Sequence, residues 1–102
     1  MSEEKGVLAE LMELLAKEQT LIGRYFGHEG QRKVAEQEAE FYGKKIEEVK
    51  DKACEEELKY LIKKRTKAIM RRNWHEKERD KTKKELEEVR KRIRELLGRE
   101  QK

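Results

Sequence analysis

Between Leu58 and His75 the chain carries seven basic side chains and no acidic one. They are Lys59, Lys63, Lys64, Arg65, Lys67, Arg71 and Arg72. Elsewhere acids and bases alternate closely, in a chain of which 49% is charged. Tyr60, Lys67 and Trp74 recur seven residues apart inside this block, so on a helix they line up along one side. Lys63, Lys64, Met70 and Arg71 fall on that side too, whereas Leu58, Leu61, Ile62, Ala68 and Ile69 make an apolar face opposite. Cations interleaved with rings suit nucleic acid: Lys and Arg neutralise phosphates, and rings offer stacking surfaces to unpaired bases. The residues expected to make that contact are Lys59, Tyr60, Lys63, Lys64, Lys67, Arg71 and Trp74. A competing reading is equally physical. Tyr60, Met70 and Trp74 could form a second core stripe, with lysine stems snorkelling around it, and the cations could pair with the acidic first half of the chain.

Arg65, Arg72 and Arg79 form a second row, again seven apart, inside the apolar face. Cations at such positions predict interhelical ion pairs, because an unpaired buried charge is too costly. Glu18, which interrupts an apolar stripe near the start of the chain, is one candidate partner. A seam that is open and wet there is the alternative.

Other chemistry lacks its residues. His28 and His75 belong to neither an HExxH nor a Glu-x-x-His spacing, so the usual helical signature of zinc or di-iron sites is missing. Cys54 is the only cysteine, and three acids follow it, a poor setting for a nucleophilic thiolate. The segment Gly23–Gly30 has neither the lysine nor the spacing of a P-loop. Acid pairs such as Glu36 and Glu40 are ordinary solvated helix positions. No catalytic activity, metal or cofactor is expected. The run from Phe41 to Ile69 is similar in texture to the helical part of archaeal GINS replication subunits and to ferritin-like helical pairs, but carries the motif of neither.

The elements that must position these residues are helices. The chain has 102 residues, so one domain is the expectation. Residues 1–57 hold 9 Lys or Arg against 15 Asp or Glu, a net of −6; residues 58–102 hold 18 against 8, a net of +10. Such asymmetry points to an acidic partner, or to a second copy docked head to tail. Only 34% of residues are hydrophobic, too few for a large single core, so a homo-oligomer is expected, with another protein as a possible partner. No stretch approaches the roughly 18 apolar residues that span a membrane. A lone cysteine and an acidic start predict a cytoplasmic protein. Pro is absent while Lys, Arg and Glu dominate, a mix that fits a heat-loving source.

The periodicity predicts an all-α fold, a hairpin or bundle of three to four helices with coiled-coil-like packing and a long charged C-terminal helix. A first helix over 3–26 carries Leu8, Leu11, Leu15, Ile22 and Tyr25 as its stripe. Gly23, Gly27 and Gly30 predict its end and a turn. A second helix over 31–53 carries Ala35, Ala39, Tyr42, Ile46, Val49 and Ala53. Asp51 could cap a third helix starting near 54, with Glu55, Glu56 and Glu57 in its first turn. Positions 61, 65, 68, 72, 75, 79, 82, 86, 89, 93 and 96 form one heptad track, which favours a continuous helix to about 97, stopped by Gly98. Thr82 and Glu85 match a capping box, which could instead break that helix near 73–82 and start a fourth.

Overall fold

The computed structural model describes the backbone of residues 3–101 and the side chains of residues 6–98. Two helices account for it: α1, Glu3–Val49, and α2, Glu55–Gln101. Among the described residues there is no strand. The all-α expectation holds, but three to four helices become two.

The break expected at Gly23–Gly30 does not occur. No glycine has a positive φ, so none adopts the left-handed conformation of a helix stop. Each glycine costs about 1 kcal/mol against Ala inside a helix. Packing outweighs that cost. Positions 7, 11, 14, 18, 21, 25, 28, 32, 35, 39, 42, 46 and 49 are all buried or half-buried, in unbroken 4-3 alternation through the glycines. Leu8 and Leu15, expected in the core stripe, lie one position off this seam and are 50% and 43% exposed.

The real turn is 50–54. The Lys50 N–H still donates to Ile46 O at 2.8 Å, and Ala53 N–H reaches back to Val49 O at 2.7 Å. The Leu58 N–H then donates to Cys54 O at 3.1 Å, opening α2. Glu55, Glu56 and Glu57 sit in its first turn, where the helix dipole favours carboxylates. Asp51 lies within the turn rather than at a cap. No second break follows: Thr82, the expected cap residue, is mid-helix and 3% exposed, and α2 runs on past Gly98. The uninterrupted track from 61 to 96 prevails over the local capping signal.

The chain divides into two compact units. The turn unit is Gly27–Glu78; the terminal unit combines Met1–Phe26 with Arg79–Lys102. In the terminal unit Leu21, Leu86, Val89 and Ile93 form a buried cluster, with Leu11, Leu14 and Ile22 packed against it. Leu96 is 1% exposed. Two ion pairs brace this unit: Arg90 Nε to Glu18 at 2.9 Å, and Arg92 Nε to Glu10 at 2.9 Å. Their reversed order along the chain marks the segments as antiparallel. The hydrogen bond to Glu10, helped by one to Glu95, raises the Arg92 guanidinium above its ordinary value.

The turn unit is a helical hairpin with a thinner seam. Its fully buried side chains are Ala35, Ala39 and Ala68. Burying a single methyl between two helices requires close backbone approach. Gly43 continues that contact, since a Cβ there would meet Arg65 Nε at 3.4 Å.

Candidate functional site

The basic block lies in the turn unit, on the side of α2 away from the alanine seam. Lys59, Lys63, Lys67 and Arg71 are exposed, and Lys64 is half-buried. Tyr60 is 58%, Met70 65% and Trp74 55% exposed. The rings therefore stand on the outer surface, not in a second core stripe. The apolar side of this stretch faces inward through Ala68, Leu58, Leu61 and Ile69, while Ile62 remains exposed.

Several of these cations already have neighbours. Lys59 pairs with Glu55 at 3.3 Å on its own helix. The Lys64 ammonium sits 5.6 Å from the Tyr60 ring centroid, a cation–π arrangement. Arg71 bridges to Glu38 of α1. Lys63 and Lys67 meet no carboxylate among the described residues.

The arginine row lies along the track that faces α1, and two of its guanidiniums meet neighbours on their own helix. Arg72 donates to Asn73 Oδ1 from Nε at 3.3 Å and Nη2 at 3.1 Å. Arg79, in the terminal unit, pairs with Asp80 at 2.9 Å on its own helix. Arg65 lies over Gly43. Arg65 and Arg72 line an open groove of about 570 Å³ together with Glu36, Glu40 and Glu47. Neither reaches a carboxylate within ion-pair distance among the described residues. Arg71–Glu38 is an interhelical pair of the turn unit, one position off the row.

The structure also joins two residues that the spacing rules set apart. His28 Nδ1 and His75 Nδ1 are 3.0 Å apart across the hairpin. Their ring centroids are 5.2 Å apart. Trp74 presents an edge-type contact to both, at 5.6 Å from His28 and 4.8 Å from His75. The signal was present in position rather than motif. Both histidines occupy seam positions, His28 lies 22 residues before the start of the turn, and His75 lies 21 after its end. Local motifs cannot detect such a pair.

Among the described residues, no group of three or more His, Cys, Asp or Glu side chains is arranged to hold a metal. Cys54 is exposed in the turn, with a free thiol. Among the described residues, no helix is long and apolar enough to cross a membrane. The chain matches no protein-family model, no curated protein and no solved structure.

Proposed function

We propose that the turn unit is a non-enzymatic nucleic-acid-binding surface. One observation carries this reading: Tyr60 and Trp74 are more than half exposed on the same face as Lys63, Lys67 and Arg71. Exposed apolar groups gathered on one face and rimmed by polar residues mark interaction surfaces. Cations beside them favour a polyanion with stackable bases. Lys63, Lys64, Lys67 and Arg71 are the phosphate contacts, with Lys59 at the edge. Tyr60 and Trp74 are the stacking platforms. Arg71 reaches a phosphate by exchanging one anionic partner, Glu38, for another.

Four neutralised phosphates imply a log–log salt slope of about −3 to −4. Replacing Lys67 with Ala flattens that slope by roughly one unit and weakens all sequences alike. Band shifts on single- and double-stranded DNA and RNA across a salt series measure both. Binding that is absent, or insensitive to salt, removes the proposal.

A second reading, as a self-assembling or adaptor protein, rests on the terminal unit. There Leu8, Met12, Leu15 and Phe26 are 50%, 70%, 43% and 65% exposed along one side of α1. A second copy could cover them. Sedimentation equilibrium beside the band shifts separates the two. A 12.3 kDa species at all micromolar concentrations excludes self-assembly; a dimer without salt-sensitive binding favours it.

A further inference from the structure

Neither phosphate binding nor base stacking calls on His28 and His75, yet their Nδ1 atoms lie 3.0 Å apart. Two imidazole lone pairs aimed at each other repel unless a proton or a cation lies between them. With a proton, one ring must carry Nδ1–H and the other must be bare at Nδ1. With a cation, both rings are neutral and bare at Nδ1, and both point at one centre.

We propose that His28 and His75 bind a divalent late first-row transition ion through their Nδ1 atoms, clipping α1 to α2 within the turn unit. The geometry fits. With metal–nitrogen bonds of about 2.0–2.1 Å, the 3.0 Å separation subtends roughly 95° at the ion. That suits adjacent positions of a square-planar or tetragonal centre, the preference of Cu(II) and Ni(II). Tetrahedral Zn(II) needs nitrogens about 3.4 Å apart, so it requires the pair to open by a few tenths of an ångström. The described residues bring no third ligand to the pair, and both histidines are only half-buried. Water therefore completes the coordination. Trp74 makes edge-type contacts with both rings. Affinity follows the order Cu(II) above Ni(II) and Zn(II). The ion joins residues 47 apart in sequence, so it stabilises the folded hairpin by binding it and not the open chain.

The test uses the full chain with Cys54→Ser, which removes the competing thiol. Trp74 is the sole tryptophan, so its emission reports the site. Copper(II) should quench it and saturate at one equivalent, with weaker responses to nickel and zinc. The melting temperature should rise with each ion. His28→Gln and His75→Gln should each weaken copper binding by at least roughly the 10–100-fold that even a lost outer-shell partner costs. Equal stoichiometry and affinity in both variants would overturn the assignment. The unsubstituted histidines give an independent check by NMR. Copper(II) should broaden the ring protons of both histidines together at substoichiometric ion. Broadening confined to other residues, or none, means that the pair is held by a proton alone.

Discussion

Leu11, Leu14 and Leu21 pack with Leu86, Val89 and Ile93 in the terminal unit, whereas the same 4-3 spacing in the turn unit carries His28, Arg32, Ala35 and Ala39 on α1 and Arg65, Ala68, Arg72 and His75 on α2. The same spacing turns one side of each helix inward in both units. The side chains on it decide how much that contact stabilises. A fully buried leucine contributes about 1.5–3 kcal/mol, and an alanine methyl far less. The terminal unit is thus the anchor. The turn unit gains close backbone approach instead and keeps its rings and cations on the outside. The difference teaches that one repeat can serve stability at one end of a helix and presentation at the other.

The contrast is most readily broken in the terminal unit. Leu96 is 1% exposed, so Leu96→Ala leaves a cavity in the terminal unit and should cost about 2–5 kcal/mol, measured by urea unfolding. A loss below 1 kcal/mol would mean that the anchor is misplaced. The turn unit should fail in the opposite way. Ala68 is 0% exposed, so Ala68→Leu has no space to fill and should cost about 1–3 kcal/mol by forcing the helices apart. A neutral or stabilising outcome would make the alanine seam loose rather than close. The smallest effect has the opposite sign. Gly27 and Gly30 have helical φ and nothing within 4 Å of an added Cβ. The double Ala variant should therefore stabilise by about 1–2 kcal/mol through helix propensity. Destabilisation would restore the turn that three glycines suggest.

The second half of the chain was more legible than the first for a definite reason. The α2 track from Leu61 to Leu96 repeats without a phase slip and without an adjoining run of glycines, although Arg72, His75, Arg79 and Thr82 are four consecutive polar members of it. On α1 the seam passes through Glu18, His28 and Arg32. With Gly23, Gly27 and Gly30 alongside, the local signal resembles a turn. Apolar Leu8 and Leu15 drew the stripe one position aside. Two helices bury only a narrow seam each, so an apolar flank stays outside. The outward placement of Tyr60 and Trp74 was one of two arrangements the helical wheel allowed, and only packing decides between them. The histidine pair depends on knowing that the turn is at 50–54, which no motif announces.

The five-residue turn has a kinetic consequence. Measured along the chain, Arg71 meets Glu38 across 33 residues, whereas Arg92 meets Glu10 across 82. Closing the longer loop costs about 0.8 kcal/mol more in chain entropy, by the logarithmic scaling of loop closure. The alanine contacts are thus more local and weaker than the leucine contacts. Contact order and contact strength rise together along this molecule. The contacts easiest to reach hold the chain least, and the leucine core supplies the free energy once the longest loops have closed.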